Sequence, residues 1–269
     1  MSSYLSLSYF DVALASVFIV INGLISIAFK LGLAKKLLIV SLRMVVQLLL
    51  VGLLLSWIFA VSSPWLTALI ALAMGLFAGR EIWARQERKL AGFWGFGIGT
   101  SAMMFAGMLV ALITLNTQIQ PDPWWSPRYS LPLLGMILGN TMTGVSLALD
   151  TLNNMVVREK PAIEARLLLG MTRWQALRPV ARVSLRSGFM PIINSMAAMG
   201  IVALPGMMTG QILSGVAPQE AVKYQILVMF LIGGATGLGV IGATMAATLR
   251  LSDDRHRLRL DRLKSLSSN

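Results

Sequence analysis

Seven long apolar runs divide this chain, and they constrain its fold more than any other feature. A membrane-spanning helix needs about 20 mostly apolar residues. The runs approach or exceed that length at residues 10–29, 37–60, 64–79, 93–115, 131–152, 188–210 and 221–249. Charged residues make up only 13% of the chain, against roughly a quarter in an ordinary soluble domain. The sequence therefore predicts an all-α integral membrane protein with about seven transmembrane helices.

The distribution of positive charge predicts how these helices are oriented. Lys and Arg accumulate on the cytoplasmic side of a membrane. Here they cluster in the segments 30–36, 80–89, 153–187 and 250–264, and the alternate connections hold only Arg128 and Lys223. We therefore expect the N-terminus outside and the C-terminus in the cytoplasm. The net charge of +12 indicates orientation and not nucleic-acid binding, because the basic residues form no continuous face.

The domain organisation is simple. We expect one transmembrane domain over residues 1–252 and a basic cytoplasmic tail over 253–269, which alternating charge predicts to be a short helix or a disordered end. The first apolar run lacks a preceding Lys or Arg, so we expect a retained membrane helix and no cleaved signal. Cysteine is absent, and His256, the only histidine, is expected to be solvated, which disfavours thiolate and imidazole metal sites.

The cytoplasmic segment 153–187 is the first candidate for a functional element. Apolar residues recur at helical spacing from Ile163 to Trp174, and Gly170 with Thr172 predicts a turn between two short helices. Such a pair on the cytoplasmic face is suited to docking a partner protein. An amphipathic helix resting on lipid headgroups fits the same arginine content.

Several runs resemble a known family. EARLLLG, with Glu164, Ala165 and Gly170, resembles the EAA-and-glycine motif of ABC-transporter permeases, although the Ile-x-Leu-Pro that often closes that motif is not present. Residues 200–226, which contain LPGMMTG, together with residues 135–150 and 41–52, are similar to the FetB family of ABC permeases. Bacterial members of that family are described as iron exporters, and plant relatives are linked to aluminium tolerance.

The resemblance implies a division of labour between subunits. A short coupling helix would insert into a groove on a separate ATP-binding subunit, which would bind ATP and Mg, and two copies of the permease would pair as a homodimer. The coupling residues would be Glu164, Ala165, Gly170, Arg173 and Trp174. The chain holds no Gly-x-x-x-x-Gly-Lys-Ser/Thr loop, so we expect a transport subunit that is not itself an enzyme and carries no cofactor.

The sixth apolar run predicts a broken helix. Residues 188–215 would extend for about 42 Å as one helix, against a hydrocarbon core of about 30 Å. Pro205 and Gly206 mark the expected break, and broken helices often line binding sites in transporters. Met207, Met208 and Gln211 then become gate candidates. A simple proline kink with ordinary packing is the alternative.

Other polar or thioether side chains in the spans are candidates for the translocation path. They are Arg43, Gln47, Asn140, Met142, Asp150 and Asn194. Hydrogen bonding between helices explains the two asparagines equally well, and Arg43 either snorkels to the inner headgroups or pairs with Asp150. The chain has 17 methionines, which suit soft metals but are also common apolar filler, so the metal ligands are left unassigned.

These observations favour the permease subunit of an ABC-type exporter in the cytoplasmic (inner) membrane, with iron as the cargo that the resemblance implies. The alternatives are an ABC permease for a lipid or another small molecule, and a seven-helix protein without transport activity, such as a receptor or a membrane enzyme.

Overall fold

The computed structural model describes residues 8–264, and within these residues the secondary structure is helical, with isolated bridges and no named strand. The helices are α1 (Tyr9–Ala28), α2 (Ala34–Val61), α3 (Pro64–Arg85), α4 (Trp94–Thr114), α5 (Pro127–Arg158), α6 (Lys160–Leu168), α7 (Arg173–Ala198), α8 (Gly206–Leu213) and α9 (Pro218–Arg250). A π-helical turn, Leu115–Ile119, extends α4, and a 3-10 turn, Leu260–Arg262, lies in the tail.

Six of these helices are long and apolar enough to cross a membrane: α1, α2, α3, α4 with its π-turn, α5 and α9. They confirm the prediction of an all-α membrane protein. The helices α3 and α5 extend beyond their apolar runs, because helical structure continues into the polar residues up to Arg85 and Arg158. The run at 188–210 is not one continuous helix, since α7 ends at Ala198. The count of seven spans and the orientation therefore stay predictions.

The described residues divide into two compact units. The first contains residues 8–63 and 213–216, and in it α1 packs along α2. The second contains residues 64–212 and 217–264. Within the second unit α5 is the central helix, because it contacts α3, α4, α7 and α9.

Two glycines bring α5, α7 and α9 close together. A Cβ atom added at Gly188 of α7 would lie 2.8 Å from Cγ1 of Val240 on α9 and 2.9 Å from the carbonyl oxygen of Gly144 on α5. Real Cβ atoms do not approach other heavy atoms so closely, so only glycine fits. Beside this contact the buried Ser184 hydroxyl donates a 2.6 Å hydrogen bond to the carbonyl of Ala148. Small residues and one buried polar contact thus fix α7 against α5.

The tail differs from its prediction. Residues 253–264 form neither a regular helix nor a separate end; they fold back along the second unit. The backbone N–H of Lys264 donates to the carbonyl of Lys89 at 2.8 Å, and that of Ala91 donates to the carbonyl of Arg262 at 2.7 Å. Leucines interrupt the basic residues of this segment, and Leu258 lies against the apolar side of α6. The remaining residues of the predicted tail, 265–269, lie outside the described residues.

Charge pairs stabilise the shape of the tail. Two hydrogen bonds from the Arg259 guanidinium lower the pKa of Asp261 from its ordinary 3.8 to about 2. A hydrogen bond from the backbone N–H of Arg257 lowers the pKa of Asp253. Both pKa values are lower in the folded tail than in an unfolded chain. These carboxylates therefore contribute their full stabilisation of the tail at pH values above the ordinary pKa, and that contribution is lost as the pH falls through the lowered pKa. The carboxylates of Asp253 and Asp261 are therefore ionised at neutral pH.

Replacing Gly188 with alanine tests the packing of α5, α7 and α9. We expect Gly188→Ala to lower the unfolding temperature, since overpacking costs about 1–3 kcal/mol. Gly139→Ala on α5 is the matched control, because a Cβ at Gly139 meets open space. It should leave the unfolding temperature unchanged or raise it, since alanine favours helix over glycine. Equal unfolding temperatures for both variants, measured in detergent, would contradict this packing.

Candidate functional site

The helix-turn-helix predicted around Gly170 is present. Gly170 has a φ of +84°, which favours glycine, and its N–H donates to the carbonyl of Leu167 at 3.0 Å as α6 ends. Thr172 caps α7: its hydroxyl accepts from the N–H of Gln175, whose side-chain oxygen accepts from the N–H of Thr172. The sequence predicted two short helices, which is wrong for the second one, because α7 continues to Ala198.

The tip of this helix-turn-helix, residues 164–174, carries apolar side chains on its surface. Leu168 is 89% exposed and Leu169 is 80% exposed, and Trp174 is also exposed. Glu164 is exposed and lies 3.7 Å from the ammonium group of Lys160, and Ala165 is exposed beside it. Ile163, by contrast, is fully buried. One side of α6 therefore anchors the tip to the protein, and two adjacent leucines are left in contact with the surroundings.

The tail holds the start of α7. The Arg173 guanidinium forms a 2.9 Å ion pair with Asp254, and its backbone N–H donates to Nδ1 of His256 at 3.2 Å. His256 is exposed, as the sequence predicted, but it also has this structural contact. Arg173, one of the predicted coupling residues, is thus the point where tip and tail meet.

Asp150 and Asn153 of α5 hold the connection between α3 and α4. The Asp150 carboxylate accepts a 2.7 Å hydrogen bond from the N–H of Glu87. The buried Asn153 amide donates to the side-chain oxygen of Gln86 at 3.2 Å and to the carbonyl of Arg88 at 2.9 Å. Sequence reasoning missed Gln86 and Asn153. In the sequence both residues are amides beside basic segments, and this alone does not indicate that they contact each other.

The other predicted path residues of the second unit lie on α5 and α7. Asn140 donates to the carbonyl of Met136 within α5 and is exposed, and Asn194 on α7 is exposed. Met142 is half-buried on α5. The other two residues, Arg43 and Gln47, lie exposed on α2 of the first unit, so pairing of Arg43 with Asp150 stays a prediction.

The predicted break after α7 is present and begins earlier than expected. The helix ends at Ala198, and the chain turns at Gly200, which has a φ of +86° and donates from its N–H to the carbonyl of Ala203. Helical structure resumes at Gly206, directly after Pro205. The proline and glycine were correctly identified as an interruption, and Gly200, which was not, makes the turn.

A cavity of about 560 Å³ lies between this break and α9. Its lining includes Pro205 and four methionines, Met196, Met199, Met208 and Met229, together with Gln225. The Gln225 side chain is 7% exposed; its Nε2 lies 3.8 Å from the sulfur of Met199, and its Oε1 has no hydrogen-bond partner among the described residues.

The predicted gate residues on α8 fall near this break. Met208 lines the cavity. Met207 and Gln211, which lie close to Met208 in the sequence, are half-buried. The Gln211 side-chain oxygen is shielded and has no partner in the part of the chain that the structure describes. The sequence left the remaining methionines unassigned between soft-metal ligands and apolar filler. Gln225 was missed, because the sequence shows no spacing that joins residues of α7 and α9.

The family to which the chain belongs follows from comparison with known proteins. The model of an uncharacterised protein family, UPF0014, matches residues 9–251 and so covers α1 to α9. The chain belongs to the UPF0014 family. This UPF0014 protein is therefore a multi-pass membrane protein of a permease family.

Named relatives of this UPF0014 protein occur in bacteria and plants. It is 34% identical to the probable iron export permease protein FetB of Escherichia coli, over 94% of this chain and 96% of the relative. It is 37% identical to a UPF0014 membrane protein of Synechocystis, over 80% and 82%, and 30% identical to the protein ALUMINUM SENSITIVE 3 of Arabidopsis thaliana, over 86% and 83%. These relatives confirm the resemblance to FetB. No solved structure matches the chain.

Removing the Arg173 side chain tests the contact between tip and tail. We expect Arg173→Gln to increase amide hydrogen exchange across residues 252–264 about two- to fivefold, because an exposed ion pair contributes about 0.2–1 kcal/mol. Arg178→Gln, an exposed position further along α7, should leave that exchange unchanged. Unchanged exchange in both variants would show that Asp254 does not hold the tail.

Proposed function

We propose that this UPF0014 protein is the membrane-spanning subunit of an ABC-type exporter and that a separate ATP-binding subunit docks on the tip. The observation that carries the proposal is the pair of exposed leucines, Leu168 and Leu169, on a structured helix-turn-helix. Apolar side chains so exposed are stabilised when a partner covers them. The predicted cytoplasmic location of the tip matches the side on which ATP is available.

The second helix of the tip supplies a route for coupling. The 26 residues of α7 form one helix of about 39 Å that begins at the tip and ends at the Met-lined cavity. Because Gly188 packs against α5 and α9, a displacement of the tip would be passed along α7, which also contains Pro179 and Pro191, to the break after Ala198. ATP-driven closure of the partner subunits would then alternate access to the cavity.

The partner would bind ATP and Mg, and two copies of this permease would form a homodimer that pairs with two ATP-binding subunits. The partner rests on the motif around Glu164, and the homodimer rests on the resemblance to ABC permeases and on the general preference of oligomers for two-fold symmetry. The cargo would be a metal ion. Iron is the first to test, because the E. coli relative is named a probable iron export permease.

A lipid or another apolar molecule is the second candidate cargo. A separate cavity of about 390 Å³ lies between α3, α4 and α5, and its lining is apolar, with Trp65, Trp124, Trp125 and Leu131. Tryptophans of this kind gather at membrane interfaces. Stimulation of ATP hydrolysis by lipid and not by metal would favour this candidate.

Replacing both exposed leucines tests the docking surface. We expect the double variant Leu168→Gln, Leu169→Gln to lose co-purification with an ATP-binding subunit from native membranes by at least tenfold, since the apolar contact would be lost. The unfolding temperature should not change, because neither side chain is buried. Phe93→Gln, at an exposed apolar residue outside the tip, is the matched control and should retain the partner.

The same preparation, reconstituted in proteoliposomes, reports the cargo through stimulated ATP hydrolysis. The transport proposal would be overturned if the unmutated protein co-purified with no ATP-binding subunit and if iron, other metals and lipids all failed to stimulate ATP hydrolysis. That result would leave a membrane protein with another activity.

A further inference from the structure

One side of α7 exposes polar and charged side chains. Arg182, Arg186 and Asn194 are exposed and are separated by four and eight residues, so they lie on the same side of the helix, and Ser195 is exposed beside Asn194. These four residues are the polar face of α7. We propose that this polar face pairs with the same face of a second copy of this chain. The proposal gives the homodimer of the proposed function its interface and therefore rests on that function.

The contact between α7 and α5 gives the depth of the polar face. The helix α5 is long and apolar enough to cross a membrane, and Gly144 lies near its middle. Gly188 packs against Gly144, and the Ser184 hydroxyl donates to Ala148, so α7 and α5 run antiparallel. Asn194 lies six residues beyond Gly188, which is about 9 Å along the axis of α7. This distance is less than half of a hydrocarbon core of about 30 Å.

Lipid does not satisfy side chains of this kind. Charged and amide groups at membrane depth contact protein or water, because hydrocarbon offers them no hydrogen-bond partner. The four side chains of the polar face form no hydrogen bond or ion pair within residues 8–264. In the same part of the chain, α7 is not among the six helices that are apolar enough to cross a membrane. The polar face therefore needs a cover of protein or water.

A second copy of the chain suits the Asn194 end of this face. An amide both donates and accepts hydrogen bonds, and so does a hydroxyl, so Asn194 and Ser195 can each pair with their counterparts. Such self-complementarity is what a two-fold interface requires, since it brings the same surface of two copies together. Asn140 of α5 is also exposed and lies about 6 Å from the level of Gly144 in the same direction. It adds a further amide at a similar depth.

The arginine end of the face has the opposite character. The guanidinium groups of Arg182 and Arg186 repel their counterparts on a second copy, and water stabilises them better than close contact does. The two α7 helices therefore meet near Asn194 and diverge toward the tip. The space between the copies is then closed at the level of Asn194 and open on the side where the tip binds its partner.

Disulfide cross-linking between copies tests the proposal. The chain has no cysteine, so Asn194→Cys and Ser195→Cys each introduce a single thiol. Oxidation in native membranes should convert most of either variant into a disulfide-linked dimer. Ser195→Cys is nearly isosteric and should leave the unfolding temperature unchanged, so misfolding does not explain a negative result. Arg186→Cys should form at least fivefold less dimer and should react with a membrane-impermeant thiol reagent, because the helices diverge there.

Phe105→Cys is the matched control. Phe105 is an exposed apolar residue near the middle of α4, and this variant should form at least tenfold less dimer than Asn194→Cys. Two results would overturn the proposal: equal dimer yields at positions 105 and 194, or no dimer from either Asn194→Cys or Ser195→Cys. In the second case, a thiol that no reagent reaches would show that α1 or α2 of the same chain covers the face. The oxidation needs no ATP-binding subunit, so its failure is separate from failure of partner docking.

Discussion

The close approach of α5, α7 and α9 at Gly144 and Gly188 is the contact on which the second unit depends. A side chain at Gly188 would meet Val240 and the backbone of Gly144, so the three helices can pack this closely only because the side chains are absent. Apolar burial drives association of membrane helices little, since lipid is itself apolar, and close packing of small residues replaces it. The hydrogen bond from Ser184 to Ala148 adds a directional contact at the same level.

This packing fixes the position of α7. With its middle fixed against α5 and α9, the helix extends toward the tip in one direction and toward the break after Ala198 in the other. At one end Arg173, Asp254 and His256 tie it to the tail. At the other end the backbone leaves helical geometry after Ala198, and the Met-lined cavity beside α9 lies next to this break.

The sequence predicts the helices well because the length of an apolar run is a local property. The runs at 10–29 and 221–249 match α1 and α9 closely, and the turn at Gly170 follows from local glycine and capping chemistry. Contacts between distant residues were not predicted. Asp150 holds the Glu87 N–H, and Gln225 meets Met199, through packing that no single run of residues encodes. The shape of the tail was not predicted for the same reason, since the backbone of Arg262 and Lys264 pairs with Ala91 and Lys89, far away in sequence.

The central claim is that the tip transmits force from an ATP-binding subunit, and site-directed cross-linking tests it most directly. The chain has no cysteine, so a cysteine introduced at position 168 is the only site in this protein at which a thiol-directed cross-linker reacts. In native membranes that position should cross-link to a protein with a phosphate-binding loop, in a yield that changes when ATP is added. Position 139, on an exposed part of α5 with open space around it, should not. Cross-links from position 168 to lipid alone would contradict the account and identify the tip as a membrane anchor.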